Sequence, residues 1–185
     1  GIMRNIKFVF PLRFLILLSL IFILVFSGES EAKEPEWEID LDSYSYGSAI
    51  SGDGQYLVAT ENDGMVYFYD VQNQTQLWSY DTESSVPSTA LSRVDISLHG
   101  EYIVVGEYYS QDGTPKVWLF DKGLTDDAPV WVFETEHQNI LDLDISNDGS
   151  TIVLSGIWGD DGERIHVLGN DSETPIWSTG SEGTY

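Results

Sequence analysis

One segment occurs three times in this chain, and that repetition constrains the fold more than any other feature. Residues 48–58, SAISGDGQYLV, return as VDISLHGEYIV at 94–104 and as LDISNDGSTIV at 143–153. Ile50, Ile96 and Ile145 hold equivalent places, 46 and 49 residues apart. Trp78, Trp131 and Trp177 recur in the same rhythm, and Trp37 leads the series. Between the two markers lie Val66-Tyr67-Phe68-Tyr69-Asp70, Val117-Trp118-Leu119-Phe120-Asp121 and a weaker Ile165-His166-Val167-Leu168-Gly169. A repeat of this length built from strand-like pieces points to propeller blades. Fold alone does not fix an activity, because such scaffolds carry many.

Each unit reads as four short strands. The first has them near 48–50, 56–60, 65–69 and 76–80; the second near 94–96, 102–107, 116–120 and 130–133; the third near 141–145, 151–155, 164–168 and 176–178. No stretch from Trp37 onward has a helical period, so the expected fold is all-β, with antiparallel four-stranded blades. The domain expectation is a signal or anchor segment at 1–32, a linker at 33–36 and a partial propeller at 37–185. Its blades fall at about 46–80, 92–133 and 141–178, with a leading strand at 37–41. Rings usually hold about 4–8 blades. Three copies and a leading strand therefore read as a frame that continues past Tyr185. Gly54 and Gly149 sit where tight turns need positive φ. The second unit replaces a short turn by the longer stretch from Tyr109 to Pro115, a natural place for unit-specific function.

The third marker carries a family resemblance. Tyr69-Asp70 and Phe120-Asp121 stand where a WD repeat ends its third strand with Trp-Asp, although Leu168-Gly169 departs from this. Residues 64–70, followed by Gln74 and Trp78, are similar to a quinoprotein-type repeat. The chain from Trp37 to Tyr185 thus resembles WD-repeat and quinoprotein-like (PQQ-like) β-propellers, without the Gly-His signature of many WD repeats. The resemblance implies a binding or scaffold module. It also implies an alternative, a PQQ-dependent dehydrogenase fragment in which a ring holds pyrroloquinoline quinone and calcium. That family typically carries an adjacent cysteine pair and a catalytic Asp. This chain has no cysteine, and none of its Asp residues matches that role. No cofactor is expected outside that alternative.

The N-terminus reads as an address. Arg4, Lys7 and Arg13 precede an apolar run from Phe14 to Phe26, and Ser30-Glu31-Ala32 places small residues as a cleavage site does. A run of about 10–14 apolar residues suits a signal peptide. The rival is an uncleaved anchor over Phe8–Phe26, with Arg13 reaching the interface. Either way the rest is expected outside the cytoplasm, secreted or membrane-anchored, because basic flanks stay inside. The first 32 residues then engage the membrane at least in passing.

Charge narrows the partners. The net charge is −23, and the first 32 residues hold three of the eight basic residues but two of the 31 acidic ones. Such a field repels nucleic acid, so nucleic acid is excluded as a partner. The expected ligand is a protein or small molecule on a propeller face. The acidity itself fits solubility or an affinity for cations and basic partners.

Few residues offer chemistry. Asp144, Ser146 and Asp148 place oxygens as the start of a calcium loop does, but position twelve is Ser155 rather than Glu. The same slot holds His99 in the second unit, so the pattern reads as the hairpin turn of the repeat, and no metal site is expected. Asp160 and Asp161 are the other calcium candidates. No catalytic residue is expected. His99, His137 and His166 are too scattered for a zinc site or a triad. Asn73 and Asn170 open glycosylation sequons between third and fourth strands.

Overall fold

The computed structural model describes residues 33–83, 91–110, 114–135, 138–158 and 162–179. The proposed signal or anchor segment, Asp160, Asp161 and His137 lie outside them. Residues 39–185 form a compact unit distinct from residues 1–38. Among the described residues twelve strands make three antiparallel meanders, each in chain order. The first contains β1 (Ser45–Ile50), β2 (Tyr56–Glu61), β3 (Met65–Asp70) and β4 (Thr75–Asp81). The second contains β5 (Leu91–Ile96), β6 (Tyr102–Glu107), β7 (Lys116–Asp121) and β8 (Trp131–Glu134). The third contains β9 (Asn139–Ile145), β10 (Thr151–Trp158), β11 (Gly162–Gly169) and β12 (Ser172–Thr179). Among the described residues the helical content is one 3-10 turn, Thr125–Asp127.

The repeated sequence makes a repeated register. Val58 faces Phe68, which faces Trp78; Val104, Leu119 and Trp131 align in the same way, as do Val153, Val167 and Trp177. Each first strand also carries a bulge near its start, between Ser45 and Gly47, between Leu91 and Arg93, and opposite Ser155 and Gly156. The extra residue re-aims the strand end, which bulges commonly do at functional rims.

The sheets stack face to face with β1 beside β5 and β5 beside β9. Val58, Val66 and Phe68 of the first sheet pack on Leu91, Ile96, Ile103, Val105 and Phe120 of the second. Val104, Leu119 and Trp131 of the second pack on Ile140, Leu143, Ile145, Ile152 and Leu168 of the third. Central strands buried on both faces explain their near-continuous apolar runs, and burying a Leu- or Phe-sized side chain contributes about 1.5–3 kcal/mol.

Two tryptophans fasten these junctions. Trp78 Nε1 donates to the Lys122 carbonyl at 2.9 Å, and Trp131 Nε1 donates to the Gly169 carbonyl at 3.2 Å. Both carbonyls lie where the third strand of the next sheet ends. Trp177, at the matching place, is 55% exposed. No strand forms over residues 37–41, contrary to the expected leading strand. The other tryptophan strands are held by the third strand of their own sheet.

Candidate functional site

The calcium pattern resolves into a turn lock. Ser146 Oγ donates to Asp148 Oδ1 at 2.6 Å, and the Thr151 amide donates back to Ser146 Oγ at 3.0 Å. The first sheet repeats this with Ser51, Asp53 and the Tyr56 amide. The Ser146 hydroxyl holds the Asp148 carboxyl near pKa 2, as Ser51 does for Asp53. Asp144 is turned away from that turn, toward Asp95 on β5. Asp95 Oδ2 accepts from the Ile145 amide at 2.8 Å, and burial and then Asp144 push its carboxyl pKa up. Among the described residues no three His, Asp or Glu side chains gather as metal ligands do.

The histidines are also accounted for locally. His99 replaces the turn aspartate and reaches Asp53 of the neighbouring sheet, Nδ1 to Oδ2, at 2.9 Å. His166 is buried, with Nδ1 2.7 Å from Ser178 Oγ and its ring edge on Phe133. Asn73 Nδ2 donates to Asp70 Oδ2 at 2.9 Å, so this sequon amide already serves its own turn. Asn170 sits in the turn between β11 and β12.

A different set of residues converges at one end of the sheets. Ser45 pairs with Glu61 and Leu91 with Glu107, so the first strands begin where the second strands end. At this rim Tyr44 is 76% exposed and Tyr46, at the β1 bulge, 56%. Tyr108 and Tyr109 follow β6 at the same end, at 41% and 40%. The backbone fixes three of them. The Tyr44 carbonyl accepts from the Asn62 amide, the Tyr108 carbonyl accepts from the Ile140 amide, and Tyr109 forms a bridge with Asn139. The Arg93 guanidinium lies 5.2 Å from the centre of the Tyr108 ring. Four exposed tyrosines, one of them under an arginine, on one rim differ from scattered apolar exposure, because Tyr and Arg are the side chains enriched where proteins bind.

The rim is anionic beside the first sheet. Glu61 is fully buried at the end of β2, where Oε1 accepts from the Ser43 amide and Oε2 from the Tyr67 hydroxyl. Burial, then the Glu61 hydrogen bond, then the fields of Glu61, Asp63 and Asp42 push the Tyr67 hydroxyl far above its ordinary pKa. Those three carboxylates therefore act on one spot. Glu107 holds the matching place in the second sheet and accepts from the Lys116 amide.

Sequence reasoning had reached Tyr109 through the long connection after β6, but had missed Tyr44, Tyr46 and Tyr108. Their signal was positional, a tyrosine pair flanking the start of β1 and another at the end of β6. It becomes legible only once the bulge and the β1–β2 register put both pairs at one end.

No family model matches the chain, and no curated protein matches it. Solved structures do. The chain is similar to one in the crystal structure of the mitotic checkpoint complex, with a TM-score of 0.56 and 18% identity, over 77% of this chain and 39% of that one. It is equally similar to BamB from Moraxella catarrhalis, with a TM-score of 0.56 and 18% identity, over 77% of this chain and 40% of that one. The chain thus spans about two fifths of the length of these structures. At this identity the likeness is one of fold, and with the three stacked meanders it establishes an all-β chain folded as β-propeller blades.

Proposed function

We propose that this chain is an exported, non-catalytic propeller module that binds or scaffolds another protein, with the tyrosine rim as the contact surface. The observation that carries the reading is the rim itself, four exposed tyrosines at one end of stacked sheets, three of them held by backbone pairing. Rigid aromatic side chains lose little entropy on binding and supply most of the energy in protein interfaces. One of the similar structures is by its name a protein complex, which supports the same class of function. The basic N-terminal flank and the apolar run from Phe14 to Phe26 support export.

The test is affinity capture from the envelope fraction of the source cell, with the whole chain as bait and a Tyr108→Ala/Tyr109→Ala variant beside it. A species retained by the native chain and lost with the variant is the expected result. Identical profiles for both baits would refute the rim. N-terminal sequencing of the mature protein checks export. A start after Ala32 shows cleavage, an intact apolar run in the membrane fraction shows anchoring, and a cytoplasmic location overturns this part of the reading.

A further inference from the structure

We infer that the rim of the first sheet recognises a cationic segment of its protein partner, one bearing several Lys or Arg side chains. The inference rests on the rim being a protein-binding surface and names the chemistry it selects.

Charge is the first ground. Residues 34–92 contain no Lys, Arg or His, so the first sheet has no positive side chain of its own. Asp42, Glu61 and Asp63 act together at Tyr67, on the end of the sheet that carries Tyr44 and Tyr46. The two donors to Glu61 are neutral, the Ser43 amide and the Tyr67 hydroxyl. A concentration of like charge on one surface raises the local concentration of cations and steers them toward it.

Aromatic chemistry is the second ground. Tyrosine faces attract cations, and two such contacts already stand among the described residues. Lys122 Nζ sits 3.9 Å from the centre of the Tyr56 ring, and Arg93 lies over Tyr108. Tyr44 and Tyr46 are the two most exposed tyrosines on the rim, and the first sheet offers them no cation. An incoming Lys or Arg would supply what the second sheet finds within itself. An ammonium or guanidinium over each ring strengthens binding by about 2-fold to 5-fold at an exposed site. Together with long-range attraction, this favours a flexible basic segment over an apolar one.

The test titrates the whole chain, in a non-ionic detergent, with a ten-residue oligo-lysine peptide and with an oligo-glutamate control. Binding of the lysine peptide is expected, weakening as salt rises from about 0.05 to 0.5 M because exposed charges are screened. The Tyr44→Ala/Tyr46→Ala variant keeps every charge, yet should bind about 5-fold to 30-fold more weakly. Equal binding by the variant overturns the inference, since general acidity would then explain the affinity. No binding overturns it as well. Far-ultraviolet circular dichroism of the variant checks that its sheets persist, and the Tyr44→Phe/Tyr46→Phe variant, which keeps the rings, should bind as the native chain does. If capture from the envelope fraction still depends on Tyr108 and Tyr109 while the peptide fails to compete, the rim is a binding surface and only its cationic selectivity is wrong. If capture shows no rim dependence, the broader reading fails too.

Discussion

Asp95 and Asp53 illustrate how one residue type acquires opposite roles. Asp53 is lowered from 3.8 to about 2 by the Ser51 hydroxyl and then by His99. Its contribution to stability is therefore complete above about 3.8 and lost as pH falls toward 2. Asp148 behaves the same way for the same reason, so acid should unlock both turns together. Asp95 is raised, so its native state holds the proton longer than the unfolded chain does, and its contribution falls as pH rises through the raised value. Replacing Asp95 by Asn keeps an acceptor for the Ile145 amide and removes the charge facing Asp144. Thermal melts of Asp95→Asn should show a higher Tm than the native chain at pH 7 and none of that gain at pH 3. A gain of equal size at both pH values would refute the account. Trp131 and Trp177 make a second comparison. Trp131→Phe removes a buried donor to Gly169 and should cost about 1–3 kcal/mol in urea unfolding, whereas exposed Trp177→Phe should stay within about 0.5 kcal/mol.

Turns and bulges set what each element presents. Gly54 and Gly100 both take positive φ, +73° and +70°, after the recurrent Ser of the turn. A Cβ on Gly54 meets nothing within 4 Å, while one on Gly100 falls 2.6 Å from Tyr56 Cδ2 on the neighbouring sheet. Gly54→Ala should therefore cost only the backbone penalty, about 1–2 kcal/mol. Gly100→Ala should cost distinctly more, because it also pushes two sheets apart; equal losses in chemical denaturation would contradict that packing. The first-strand bulges belong to this scale too. At β1 the bulge turns Tyr46 out to the rim, and Gly47 beside it is the residue in the segment from Tyr44 to Ile50 that marks one.

The stacked sheets of the whole molecule share a strong negative field. With a net charge of −23, self-repulsion opposes the compact state. Raising salt from about 0.01 to 0.5 M shortens the screening length from roughly 30 Å to a few ångströms. The melting temperature should rise over that range and level off; a fall would show that attractive pairs such as His99–Asp53 and Lys122–Glu101 dominate. The outer face of the third sheet is the other property of the whole. Val153, Ile165 and Trp177 stand where the first two sheets place residues that pack on a neighbour, yet they are 37%, 38% and 55% exposed.

The amino-acid sequence determined the strands, the meander of four in each unit and the stacking residues. These follow from local periodicity and from a motif repeated three times, and both are properties of neighbouring residues. Trp78 and Trp131 were legible as packing residues for that reason. Register decided the rest. Asp144, Ser146 and Asp148 keep the calcium-like spacing in sequence, but Asp144 lies at the end of β9 against Asp95 of the neighbouring β5, while Ser146 and Asp148 bond each other within the turn that follows. Trp37 matched the repeat in sequence, yet residues 37–41 form no strand. The rim depends on pairings 16 residues apart within a sheet, Ser45 with Glu61 and Leu91 with Glu107. Tertiary structure alone gathers tyrosines from separate segments onto one edge, because backbone hydrogen bonding between strands, rather than the chemistry of the tyrosines, sets where they stand.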